Sequence, residues 1–323
     1  MLNVYRGADD RLAAADCTAG VPPDAVWIDL AFPTREEEAA VETALGIDVP
    51  TREDMKEIEH SSRLYQESDA LFMTATVLVG SDTVTPETVP VSFILTETHL
   101  VTVRYGEPRS FAMARAQLER PGGTGRIGPD AVLAHVLEAM IDRAADILEA
   151  IAHDVDEVSR GIFQEGGGKP TRSKDFQPIM RAIGWQGDLL SKVRESIASI
   201  GRLLTFLGGA DRRIVPQEVQ DRLAVMVRDT QSIADHAAFL ASKTTFLLEA
   251  TLGLVNIEQN AIIKIFSVVA VVFLPPTLVA SIYGMNFRYM PELHWLLGYP
   301  LALVLMLASA VLPFLFFMRK GWL

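Results

Sequence analysis

Two apolar runs near one end of the chain constrain its fold more than any other feature. IFSVVAVVFLPPTLVASIY, residues 265–283, is 19 residues without a charge, and YPLALVLMLASAVLPFLFFM, residues 299–318, is 20. At about 1.5 Å per residue, either run crosses a hydrocarbon core of about 30 Å as a helix. Two such runs joined by a 15-residue link predict a membrane hairpin rather than two buried soluble helices. Lys264 abuts the first run, Arg319 and Lys320 close the second, and Arg288 alone stands in the link. The positive-inside rule then places the long preceding region and the short tail in the cytoplasm, and residues 284–298 outside. Trp295, Tyr299 and Trp322 fall where interfacial aromatic rings belong. Pro275 and Pro276 lack amide hydrogens, so the carbonyls near 271 and 272 lose donors and the helix is expected to bend or loosen there.

Charge divides along the same line. Of 29 basic and 41 acidic side chains, only four bases and one acid, Glu292, lie from Lys264 onward, which leaves the preceding region strongly acidic. Such a region lacks the positive footprint that nucleic acid requires and is suited to meeting cations. Cys17 is the only cysteine, so no intramolecular disulfide can form and a thiolate metal site lacks partners; it reads as a free thiol in a reducing compartment. MLNVYRGADDRLAAADC has no continuous apolar run of signal-peptide type, and the start of the chain is expected to stay in the cytoplasm.

Before about residue 125 the pattern mixes strands and helices. VWIDL (26–30), LFMTATVLV (71–79) and PVSFILTETHLVTVRYG (90–106) read as strands, the last as a hairpin turning near Thr96 to His99. TREEEAAVETAL (34–45) reads as a helix capped by Thr34 with acids in its first turn, and TREDMKEIEH (51–60) has a similar look. This predicts an α/β or α+β domain. After the turn PGGTGRIG (121–128) the chain turns helical: one helix over 130–163, a second over about 173–206 after GGGKP (166–170), and a third from Val215 into the first apolar run. Helices of that length need lateral partners to bury an apolar stripe, so the chain is expected to be oligomeric. GGGKPT has proline where a nucleotide-binding loop needs serine or threonine, and PGGTGRIG has no suitable lysine, so no nucleotide cofactor is expected.

Asn256, Asn260, Ile263, Ser267, Ala270, Leu274 and Thr277 recur at spacings of three and four and share one helix face, with Asn286 just beyond its end. Two readings of that face stand open: helix packing through small residues and asparagine glue, or a pore lined by one helix from each of several copies. In the second, Asn286 from every copy forms a ring of amide oxygens that holds a dication through its water shell, which magnesium surrenders reluctantly. Glu292 repeated around the mouth concentrates cations, and rings of Ile263 or Leu274 gate by dewetting. The lack of cysteine and histidine along the line disfavours a soft metal. No ATP is needed, since a double charge gains about 4.6 kcal/mol per 100 mV on entering a negative interior.

The motif GMN at 284–286, extended as YGMNFRYMPEL, the preceding FLPPTLVASIYGMNF, two spans at the carboxyl end and the basic finish RKGWL resemble the CorA family of magnesium and cobalt transporters. The resemblance implies an α/β cytoplasmic domain, long stalk helices and two carboxyl-terminal transmembrane helices, assembled as a homopentameric funnel-shaped channel in a bacterial-type inner membrane. The expected division is 1–125 for the α/β domain, 126–264 for the stalk, 265–283 for the pore-lining helix, 284–298 for the external loop, 299–318 for the second span and 319–323 for the tail. It implies Gly284, Met285 and Asn286 as the selectivity element for Mg2+ and Co2+, with Thr277, Leu274, Ala270, Ile263, Asn260 and Asn256 lining or bordering the pore. Ile263 stands where the family often has methionine. Cytoplasmic magnesium in this family bridges acidic groups between subunits; one family carboxylate falls on Val225 here, leaving Asp221, Asp229 and Asp235 as candidates. HDVDE (153–157) reads as helix surface.

Rival readings are a zinc or other transition-metal transporter on the same GMN scaffold, possibly coupled to protons, and a two-span anchor for a cytoplasmic sensing domain without transport. An enzyme is disfavoured, since no nucleophile, base and oxyanion group stand together in the sequence.

Overall fold

The computed structural model describes residues 1–8, 11–15, 20–83, 85–120, 127–163, 175–286, 288 and 290–322. Cys17, the glycine-rich pieces at 121–126 and 166–170, Phe287 and Tyr289 lie outside the described residues. Two compact units form, one from Met1–Gly168 with Gln177–Leu247, and a second that includes Leu248–Leu323.

The first unit is built on a sheet of seven strands: β1 (Leu2–Ala8), β2 (Arg11–Ala15), β3 (Ala25–Ala31), β4 (Leu64–Glu67), β5 (Ala70–Val79), β6 (Glu87–Leu95) and β7 (Leu100–Arg104), in the order β2-β1-β3-β7-β6-β5-β4. β3 and β7 pair in parallel and the other neighbours pair antiparallel. The expected β6–β7 hairpin closes through Thr96 N–H donating to the His99 carbonyl at 2.9 Å. Alternation along the strands feeds two cores. Met73, Val91, Phe93 and Leu100 face one layer of helices, whereas Phe72, Ile94, Val101 and Val103 belong to the cluster on the other side.

Helix α1 (Arg35–Leu45) starts where its sequence requires. Thr34 Oγ1 accepts from Glu37 N–H, and the Glu37 carboxylate accepts from Thr34 N–H at 2.9 Å, a reciprocal capping box. It stops at Gly46, whose φ of 66° is open to glycine at little cost. The helix expected over 51–60 does not form. Asp54 instead accepts from Thr51 N–H and Oγ1 in a short 3-10 turn, Asp54–Lys56, and only one helical turn follows, α2 (His60–Arg63). The stretch has one buried anchor, Met55, while Ile58 is 90% exposed, so there is no apolar stripe to hold a longer helix.

Helices α3 (Arg109–Leu118), α4 (Pro129–Phe163) and α5 (Gln177–Gly208) cover one sheet face. α4 buries Leu133, Leu137, Met140, Ala144, Ile147, Leu148, Ile151 and Val155 at helical spacing, and each fully buried large side chain contributes about 1.5–3 kcal/mol. Helix α6 (Gln217–Tyr283) then runs 67 residues without interruption, opening just after Pro216 and remaining helical through Pro275 and Pro276. Its first turns, with Val219, Leu223 and Met226, complete the larger core. In the second unit, α7 (Gly298–Arg319) follows a 3-10 turn, Pro291–His294. α6 and α7 are the two described helices long and apolar enough to cross a membrane, and only 6% of either apolar window is buried.

Candidate functional site

The carboxyl half of α6 presents the sequence face intact. Asn256, Asn260, Ile263, Ser267, Ala270, Leu274 and Thr277 are all exposed, as are residues off that line such as Ile262, Phe266 and Phe273, while Val268 is buried at 3%. The hydroxyls on the face donate inward: Ser267 Oγ to the Ile263 carbonyl at 2.8 Å and Thr277 Oγ1 to the Phe273 carbonyl at 2.7 Å. With its proton engaged, each hydroxyl offers outward only oxygen lone pairs, the polarity that a cation or the oxygen-bound protons of its water shell require. Ile263 and Leu274, 52% and 65% exposed, are the bulky apolar members of the same face.

Gly284 ends α6. Its N–H still donates to the Ala280 carbonyl at 2.9 Å, and a Cβ there would stand 3.1 Å from that same oxygen, closer than side chains normally approach. The absent side chain lets the backbone close tightly on the last turn before leaving the helix. Met285 N–H donates to the Ile282 carbonyl at 3.3 Å, and Asn286 follows outside regular structure, exposed. Among the described residues no hydrogen bond holds the Asn286 amide. Glu292 lies on the turn Pro291–His294; its side chain is outside those described.

At the other end of this second unit, the Lys264 ammonium sits 6.0 Å from the Trp322 ring centroid and the Lys320 ammonium 5.4 Å from that of Phe316. The basic groups that flank the two apolar helices thus gather with interfacial aromatic rings at one end of the hairpin.

The three acidic candidates in the first unit separate. Asp221 accepts from Gln217 Nε2 at 2.9 Å and Asp235 from Gln231 Nε2 at 3.0 Å, each an ordinary exposed helical pair. Asp229 instead borders a cavity of about 180 Å3 with Glu138, Asp142 and Arg222, and Val225 lines the same cavity. Arg222 pairs with Glu138 at 2.9 Å. Desolvation, with the charges of Glu138, Asp146 and Asp229, pushes the Asp142 carboxyl above the ordinary carboxylate range. Glu138, Asp142 and Asp146 escaped the sequence reading, although their i, i+4 spacing sets three acids on one helix face. Among the described residues no group of three or more His, Cys, Asp or Glu is placed within one chain to hold a metal. In HDVDE the four charged side chains, His153, Asp154, Asp156 and Glu157, are exposed, as expected of helix surface, and two of them also reach neighbouring helices: Asp154 accepts from Gln186 Nε2 at 2.7 Å, and Asp156 pairs with Lys243, tying α4 to α5 and α6. The Lys243 partner holds the Asp156 carboxyl below its usual range.

Known proteins are similar to this chain in sequence and in fold. Over the full length of both chains, the sequence is 35% identical to the magnesium transport protein CorA of Haemophilus influenzae. It is 36% identical over 337 aligned positions to that of Escherichia coli K12, again covering both chains fully. The complete structure of the CorA magnesium transporter from Methanocaldococcus jannaschii superposes with a TM-score of 0.78 at 20% identity, covering 100% of this chain and 99% of the other. Residues 23–320 match the family described as CorA-like Mg2+ transporter protein, and the chain belongs to that family.

Proposed function

We propose that this protein is a membrane channel for Mg2+, with Co2+ as a second cargo, assembled as a homopentameric funnel and driven by membrane potential. Its family is one of transporters rather than enzymes. The observation that carries the reading is the α6 face that ends in GMN. An oligomer can bring the exposed line from Asn256 to Thr277 to its axis, and Gly284 releases the chain so that Asn286 stands with its amide uncommitted. Gly284, Met285 and Asn286 then form the filter; Thr277, Leu274, Ala270, Ile263, Asn260 and Asn256 line the pore beneath it; Glu292 raises the cation concentration at the mouth. Amide and hydroxyl oxygens hold a hydrated ion without the tight binding that a carboxylate ring imposes.

The proposed division is residues 1–125 for the cytoplasmic α/β domain and 126–264 for the stalk. Residues 265–283 and 299–318 form the two spans around the external loop 284–298, and residues 319–323 form a cytoplasmic tail. Both ends of the chain then face the inside of a bacterial-type inner membrane, in accord with the basic residues at the ends of the spans.

Cytoplasmic Mg2+ closes this channel in the proposed scheme. Of the three acidic candidates Asp229 is favoured, because it alone stands beside other carboxylates, with Asp142 crowded enough to hold its proton more tightly. A second subunit's acids would complete the site.

The test is Mg2+ entry into sealed proteoliposomes under an imposed inside-negative potential without ATP, comparing the intact chain with Asn286→Ala. Fast voltage-dependent entry that the substitution abolishes or makes unselective supports the channel. Entry of zinc alone, dependent on a proton gradient, would move the protein to a transition-metal cargo, and no cation flux from assembled protein would favour the anchored sensor.

A further inference from the structure

At the end of β5 the chain turns sharply through Gly80, whose φ of 64° and 2.9 Å Cβ approach to Thr83 Oγ1 exclude other side chains. The turn sets Ser81 and Asp82 beside the first turn of α3 and the middle of α4. A cavity of about 30 Å3 lies between them, its polar lining Ser81, Asp82, Arg109, Ser110, Arg143 and Ser196. Ser110 is 2% exposed and its Oγ has no hydrogen-bond partner. A buried hydroxyl in that state opposes folding, so the position calls for an acceptor that the neighbouring groups do not supply.

Two further features give that acceptor a sign. α3 opens behind Pro108, with no side-chain cap; the Phe111 N–H donates to the Pro108 carbonyl at 3.1 Å, so the Arg109 and Ser110 N–H groups and the positive end of the dipole meet the same corner. Arg109 is already neutralised by Asp82, Nη2 to Oδ2 2.6 Å, whereas Arg143 donates only to the uncharged Ser81 Oγ at 2.9 Å and makes no ion pair among the described residues. The polar lining therefore carries one uncompensated positive charge. The volume corresponds to one or two water-sized positions, too small for a phosphate ester or nucleotide.

We propose that this cavity binds one small monatomic anion of the chloride class, held by the Ser110 hydroxyl, the open first turn of α3 and the Arg143 guanidinium. The ion fastens the end of the sheet to α3 and α4 within the cytoplasmic domain. This proposal uses no residue of the candidate pore, and its outcome is independent of the cargo.

The experiment is thermal unfolding of the full-length protein at fixed Mg2+ and ionic strength in sodium chloride, bromide or gluconate. Saturating chloride or bromide is expected to raise Tm by about 2–4 °C over gluconate, as for any ligand that binds only the folded state. Ser110→Ala and Arg143→Met each abolish the halide dependence. In gluconate, Ser110→Ala is at least as stable as the parent, because it removes a hydroxyl that lacks a partner. Bromide-grown crystals show an anomalous peak in the cavity. Equal Tm in halide and gluconate, a halide shift that survives Ser110→Ala, or a cavity holding water alone in bromide overturns the proposal.

Discussion

Single side chains fix the centre of the sheet. Asp29 on β3, 3% exposed, accepts from Thr102 Oγ1 at 2.8 Å and from Arg104 Nε and Nη2 at 3.0 and 2.9 Å. Thr102 in turn accepts from Trp27 Nε1 at 3.0 Å, and Arg104 lies over the Phe111 ring. The network closes the only parallel pair among the described strands, β3 with β7. Asp29→Ala leaves a buried guanidinium uncompensated and is expected to cost about 3–5 kcal/mol, read as a lowered denaturant midpoint; a change below about 1 kcal/mol would contradict this account. Thr34→Ala should cost only about 1 kcal/mol, the worth of a cap. Tyr105, whose hydroxyl donates to Glu38 at 3.1 Å, is pushed up to about 12 by burial and then by the Glu38 charge and hydrogen bond. The folded state thus keeps this proton longer than the unfolded chain, and the stability so gained is full below about pH 10 and lost as pH rises toward 12. A tyrosinate absorbance titration of the parent minus Tyr105→Phe checks it: a component at pH 10 would refute the shift. Thr34 was legible because capping is written in adjacent residues. Asp29 was not, because its partners lie 73 and 75 positions away and a strand motif such as VWIDL gives no sign of them.

Among elements, α6 was the most legible. The sequence predicts it from Val215, with Pro216 in its first turn, and it opens at Gln217 just behind that proline; it ends at Tyr283, and the paired prolines do not break it. The 51–60 segment misled because charge and capping residues mimic a helix start, while the apolar stripe that sustains a helix is missing. The face from Asn256 to Thr277 holds a stricter regularity. From Asn256 to Thr277 the steps alternate four and three without exception, a mean of 3.5 against the 3.6 of an isolated helix. Such a seam stays on one side only when helices supercoil around one another, so the face is expected to meet its copies along its whole length. Replacing Cys17 with serine leaves a cysteine-free chain for the test. A single cysteine at 263, 267, 270 or 274 should give an oxidised dimer band in membranes, whereas one at 262, 266 or 273 should give little. Equal cross-linking at both sets would place the seam elsewhere.

At the scale of the whole molecule, charge is the organising quantity. The region before the spans is acidic and the spans are flanked by bases; in the proposed topology a cation carried inward by potential would arrive beside a concentration of carboxylates. Asp229, Asp142 and Glu138 gather around one cavity on an exposed face of the first unit, and among the described residues only Glu138 has a cationic partner there, Arg222. Copies packed side by side would bring such faces near one another, and without a divalent ion the like charges repel across the interface. This arrangement predicts that millimolar Mg2+ protects the region before the spans of the assembled protein from protease, and that chelation exposes it. Asp142→Asn with Asp229→Asn removes two of the repelling charges, so the variant should resist protease without Mg2+ and gain little from adding it. Its channel should then conduct poorly with or without cytoplasmic Mg2+, since the ion no longer distinguishes the two states and a ligand shifts an equilibrium only by its differential affinity. Protease sensitivity that ignores Mg2+ while the oligomer stays assembled would remove the gating role from this face and leave selectivity at Asn286 untouched.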